Sequence, residues 1–148
     1  MFSGSSLLAL DNRGRMTVPA RYRQALADDA GGRLVITKHP IGCLMLMTPS
    51  RWDAFYAVLR ALPMSADHWR RVFIGNADTL VEIDNAGRVL ISPELRDEAG
   101  LALEGENREV RLMGVGEHFE IWNAARYRER ERSMEGAALP EAIASFVI

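Results

Sequence analysis

Lysine is almost missing from this chain, cysteine nearly so, and no long apolar run occurs anywhere. Each shortage excludes something. A single cysteine, Cys43, cannot staple a fold, so the chain fits a reducing compartment. No stretch reaches the roughly 18 apolar residues that a transmembrane helix needs, so no membrane partner is expected. Residues 1–10 lack both a basic start and a long apolar core, which argues against a signal peptide and points to the cytoplasm. His39, Cys43, His68 and His118 form no paired ligand spacing such as Cys-x-x-Cys, so neither a metal nor another cofactor is expected. Gly14 and Gly87 are lone turn glycines and not a phosphate-cradling loop. No small-molecule substrate is expected either.

The charge that is present is nearly all arginine on the basic side, Lys38 being the one lysine. Arginine offers a planar fork of donors that matches phosphates and guanine edges. The formal net charge is −2. That excludes a uniformly positive coat, but nucleic-acid binding depends on where the cations cluster.

The chain repeats itself. Residues 11–23 read DNRGRMTVPARYR, and residues 84–96 read DNAGRVLISPELR, at an offset of 73 without a gap. The match resumes at an offset of 75, with Val35 over Val110, Leu44 over Phe119, Leu46 over Ile121 and Arg51 over Arg126. Asn-Arg-Gly and Asn-Ala-Gly are turn triplets in which glycine supplies a positive φ. The flanks 7–10 with 15–18, and 80–83 with 88–91, are apolar and β-branched, as in a hairpin. A short helix follows in each copy. Pro19 and Pro93 suit its first position, Ser92 suits a cap before Pro93, and Gly31 and Gly100 suit the ends. The pairs Tyr22/Leu26 and Leu95/Ala99 each line one helical face. Strands are then expected at 34–38 and 43–47, and again at 109–113 and 118–122.

Trp52, Phe55, Tyr56, Leu59 and Leu62 recur at helical spacing and are read as packing residues rather than base-stacking ones. Met45 and Met47 fill a core. Residues 68–74 form a connecting helix. Residues 124–134 form a solvated helix of alternating arginine and glutamate held by side-chain pairs. Residues 136–148 are a tail whose apolar end, 146–148, docks on a neighbour. The fold class is mainly β with short helices (α+β). Its units are 5–53 and 82–125, joined by 54–81 and followed by 126–148. A sheet of about four short strands is marginal alone, so the two units should intertwine into one barrel-like core or pair across chains.

Asp-x-x-Gly-Arg followed by x-x-x-Pro-x-x-x-Arg resembles the SpoVT/AbrB-type swapped-hairpin DNA-binding domain. Two copies behind Phe2-x-Gly4 resemble the MraZ family, over nearly the whole chain. The resemblance implies two pseudo-symmetric swapped-hairpin units forming a double-split β-barrel, and a homo-oligomeric ring. It also implies binding to double-stranded DNA at short direct repeats upstream of the division and cell-wall gene cluster, in a nucleoid-associated regulator of transcription. The DNA contacts it implies fall on Arg13, Arg15, Arg21 and Arg88. Three positions depart from the pattern: Ala86 where the first copy has Arg13, Ser92 in place of the motif proline, and Ser3 after Phe2.

Asp11, Gly14, Arg23 and their counterparts Asp84, Gly87, Arg96 are read as structural, with the glycines in turns and Arg23 and Arg96 in ion pairs with the aspartates. From 11 to 23 there are four arginines against one aspartate, whereas 84–96 balances to neutral. The first copy is therefore the stronger DNA-contact candidate. Asp11 and Asp84 could form an acid/base dyad only if one were protonated. A neighbouring arginine keeps each ionised, so the chain is read as not an enzyme. The alternative function is an antitoxin-like or scaffolding module of the same fold that binds protein. Steep salt dependence of duplex binding separates the two.

Overall fold

The chain builds one pattern twice, and a computed structural model describes it over residues 1–147. The first pass runs β1 (Ser5–Ala9), β2 (Arg15–Thr17), α1 (Ala20–Ala30), β3 (Arg33–Lys38), β4 (Leu44–Met47) and α2 (Pro49–Arg60). A short helix α3 (Asp67–Phe73) links it to the second pass. That pass runs β5 (Asp78–Glu82), β6 (Arg88–Leu90), α4 (Pro93–Glu98), β7 (Glu109–Gly114), β8 (Phe119–Asn123) and α5 (Ala124–Ser133). A last helix, α6 (Glu141–Val147), occupies the expected tail and is exposed. Phe146 and Val147 stand in solvent, and the rest of the expected apolar end, Ile148, lies outside the described residues.

The architecture is mainly antiparallel sheet with short helices, with an apolar layer packed on each face of the sheet. Six strands run in the order β1-β7-β8-β4-β3-β5, and β2 pairs with β6 in a separate ribbon. The sheet does not close into a barrel; β1 and β5 are its edges. Apolar side chains on alternate positions explain the two layers. Leu34, Ile36, Leu44, Leu46, Val110, Leu112, Phe119 and Ile121 face the main core beneath the ribbon, α1 and α4. Val35, Met45 and Met47 face the other way and pack with Trp52, Phe55 and Phe73. All four side chains of β4 are therefore buried.

Sequence equivalence becomes a pseudo-two-fold axis. Where β4 meets β8, Leu44 faces Ile121, Leu46 faces Phe119 and Met45 faces its own counterpart Glu120. Where β2 meets β6, Met16 faces its own counterpart Val89, and both are fully buried. The axis passes through both meeting points. The same logic extends to the helix starts that follow β4 and β8. Thr48 caps α2 by accepting from Arg51 N, and Asn123 caps α5 by accepting from Ala125 N and Arg126 N.

Three local expectations are corrected. Residues flanking the Asp-x-x-Gly-Arg turns do not form hairpins: β1 pairs with β7, β5 with β3, and β2 with β6. Each unit has given its first strand to the other unit's hairpin. Pro19 is the N-cap of α1 rather than its first residue, which is where Ser92 stands in the second copy. Ser92 there accepts from Leu95 N at 3.3 Å, so the departure from proline supplies a side-chain cap. In α5 one side-chain pair forms among the described residues, Glu129 with Arg132 at 3.4 Å, and both ends are exposed. A pair of that kind contributes little.

Strand exchange predicts that neither half stands alone. A monomeric chain of residues 1–74 should show no cooperative thermal unfolding by circular dichroism. Mixing it with 75–148 should restore a cooperative transition. Cooperative melting of a monomeric half would remove the exchange as the organising contact.

Candidate nucleic-acid interface

The two Asp-x-x-Gly-Arg turns have the same construction. Gly14 N donates to Asp11 O at 3.0 Å and Gly87 N to Asp84 O at 2.9 Å, each closing a four-residue turn. Asp11 Oδ1 accepts from Arg13 N and Arg15 N, both at 2.9 Å. Asp84 Oδ1 accepts from Ala86 N and Arg88 N at the same length. The second carboxylate oxygen receives the arginine side chain: Arg15 Nε to Asp11 at 2.6 Å, Arg88 Nε to Asp84 at 2.9 Å. The aspartate thus ties its own turn and orients the arginine that follows.

These bonds favour the charged carboxylate. Asp11 is lowered to about 2, first by the bond from Arg15 N and then by those from Arg13 N and the Arg15 side chain. Asp84 is lowered in the same way, led by the bond from Arg88 N. Two carboxylates held ionised cannot share the proton that a dyad needs.

The ion pairs expected for Arg23 and Arg96 form instead with Arg15 and Arg88. Arg23 Nε donates to Val18 O at 2.8 Å, and Arg96 donates to Ile91 O at 2.6 Å. Each guanidinium then lies against the turn glycine of the other unit. A Cβ at Gly87 would strike Arg23, and one at Gly14 would strike Arg96. Both glycines also sit at positive φ, 82° and 79°. Spacing within one motif carried no sign of this contact, because it crosses between the units.

The ribbon displays what the turns orient. Met16 and Val89 point inward, so Arg15, Thr17, Arg88 and Leu90 share the outer face. Arg15 stands opposite Leu90, and Thr17 opposite Arg88. Arg13 projects from the first turn and is exposed; Ala86 occupies its place in the second. Arg21 is drawn elsewhere, onto β1, where it donates to Ser6 Oγ at 3.0 Å and covers the Tyr22 ring. The structure therefore gathers Arg13, Arg15 and Arg88 around one ribbon and holds Arg21 at the β1 edge. Thr17 and Leu90 were not singled out from sequence. Alternation from Arg15 and Arg88 places them on that face, but only the β2–β6 pairing makes it one surface.

Burial pushes the Cys43 thiol up to about 12, which removes its thiolate at neutral pH. Burial also lowers His39 and His118. Among the described residues, no group of three His, Cys, Asp or Glu is placed to hold a metal.

Comparison with known proteins follows the same two-unit division. The family described as "MraZ protein, putative antitoxin-like" matches residues 1–73 and again 73–142. Proteins named Transcriptional regulator MraZ from Burkholderia mallei and Burkholderia pseudomallei are each 50% identical over 99% of both chains. One of the same name from Burkholderia cenocepacia is 49% identical over the same span.

The lowered aspartates set a pH dependence. A carboxylate whose folded value lies below its unfolded value stabilises the fold fully above the unfolded value, near 4, and loses that contribution as pH falls. The melting temperature of Asp11→Asn should lie below that of the parent at pH 6. The gap should close as pH falls from about 4 towards 2. Equal melting temperatures at pH 6 would show that the carboxylate does not tie the turn.

Proposed function

We propose, because this chain belongs to the MraZ family, that it is a sequence-specific DNA-binding regulator of transcription and not an enzyme. It would bind short direct repeats upstream of its own division and cell-wall gene cluster. The observation that carries this reading is the β2–β6 ribbon, with Arg15 and Arg88 oriented outward by Asp11 and Asp84. A two-stranded ribbon fits the major groove of B-DNA. Each aspartate holds Nε and leaves the terminal nitrogens of the fork for a base edge or a phosphate. Arg13 at the turn adds a phosphate contact that positions the ribbon, and the forks read guanine.

The proposed assembly is a homo-oligomeric ring in the cytoplasm, associated with the nucleoid. One ribbon per subunit would then meet one repeat per subunit, and weak contacts would combine into avidity. Arg88 works beside Ala86 and Arg15 beside Arg13, so the first turn carries the larger share.

Arg15→Ala is the direct test. Losing one bidentate base contact costs about 1–3 kcal/mol at each site, about fivefold to 150-fold, and more when several subunits bind together. Fluorescence anisotropy with a duplex carrying the upstream repeats should show that loss, with a smaller one for Arg88→Ala. Parent binding should weaken steeply with salt. Unchanged affinity of Arg15→Ala at moderate salt would remove the ribbon from the interface.

A further inference from the structure

The two edges of the six-stranded sheet are equivalent in the repeat and opposite in charge. Beside β1 lies an open groove of about 970 Å³, walled by Phe2, Ser3, Ser5, Arg21 and Tyr22 among others. Beside β5 lies one of about 460 Å³, walled by Gly75, Asn76, Asp78, Glu94 and Leu95 among others. These are the same positions displaced by 73. Ser5 in the first is Asp78 in the second, and Arg21 is Glu94.

Farther from β1 the groove wall carries Arg51 with Asp29 and Glu117, while the charge flanking the strand itself is basic. Arg21 reaches Ser6 Oγ at 3.0 Å and Arg111 reaches Ser5 Oγ at 3.0 Å, so two guanidinium groups flank the strand. The position equivalent to Arg111 in the first unit, by strand register, is apolar Val35. Residues 1–10 carry no charged side chain, so β1 lacks the charges that normally protect an edge strand. Arg21 also stands in the first turn of α1, which has no acidic residue there. A cation at that end opposes the helix dipole, so local helix stability does not account for it. On the β5 side, Asp78 and exposed Glu94 supply negative charge.

Both edges are also open to a neighbour. The equivalent leucines Leu7 and Leu80 are 63% and 86% exposed. Every neighbouring pair in the sheet is antiparallel, so β1 and β5 run in opposite directions. A second copy displaced along the sheet therefore sets its β1 antiparallel to the first copy's β5 and continues the alternation. Contact of β1 with another β1 would instead oppose arginines to arginines.

We propose that the β1 edge docks head to tail on the β5 edge of a second copy of this chain, with Arg21 against Glu94 and Asp78 of the partner subunit. Such a contact is heterologous, and it closes into a ring when its rotation closes. It rests on the assembly proposed above and names the surfaces that make it.

Sedimentation velocity on the parent, R21E, E94R and the R21E/E94R double variant tests the contact. Each single variant should shift to smaller species at the concentration where the parent is assembled. The double variant should return to the parent's size, because the reversed charges again meet as opposites. Far-UV circular dichroism checks the fold. Should R21E unfold, E94R and Leu80→Lys carry the test, since both side chains are exposed and make no hydrogen bond among the described residues. Either of these keeping the parent's size overturns the proposal. Folded single variants that keep the parent's size, or a folded double variant that stays small, overturn this interface and leave a ring by another surface standing. A monomeric parent overturns both the interface and the ring.

Discussion

Arg23 and Arg96 each lay a guanidinium against the turn glycine of the opposite unit, anchored by the carbonyls of Val18 and Ile91. This reciprocal contact is what the ribbon depends on. β2 and β6 are three residues long and pair only with each other, and so short a pair is marginal in isolation. The two arginines close its ends, and buried Met16 and Val89 pin its middle to the core. Gly14 and Gly87 answer two demands at once, a positive φ in their own turn and room for a flat cation arriving from the other unit. Any side chain at either position would unseat an arginine more than sixty residues away.

The aspartates act one level further out. As ion pairs, Asp11–Arg15 and Asp84–Arg88 are partly exposed, and such pairs are individually weak. Their stronger work is on the backbone, where each carboxylate gathers two amide protons that the turn would otherwise leave free. Orientation of the following arginine comes with it. Turn stability and the direction of the outward fork are therefore set by one side chain, and a change at Asp11 or Asp84 acts on both.

Much of this was legible from sequence where the signal was local. The 73- and 75-residue offsets predicted the strands, the helix ends at Gly31 and Gly100, and the inward faces of Tyr22, Leu26, Leu95 and Ala99. Pairing partners were not legible, since nothing in residues 7–18 distinguishes a hairpin from two strands that leave for different neighbours. The roles of Arg23 and Arg96 were missed for the same reason. A spacing of twelve residues suggested the aspartate as partner, while the geometry gives each guanidinium a carbonyl of its own motif and the turn glycine of the other unit. Arg21 looked like a member of the basic cluster and is instead held by Ser6. The apolar pattern was enough to give the layers, and only the long-range register shows which polar groups meet.

The strand exchange has a historical reading. Two identical half-chains trading their first strands would make a true homodimer, and every feature of one edge would be copied on the other. Such a dimer can never tell its left from its right. Joining the halves into one polypeptide through α3 keeps the shared core while letting each copy drift by itself. Arginine at 21 with glutamate at 94 is a difference that two identical half-chains could not hold. Fusion thus gives the molecule polarity, a property no symmetric ancestor could have evolved by point mutation alone.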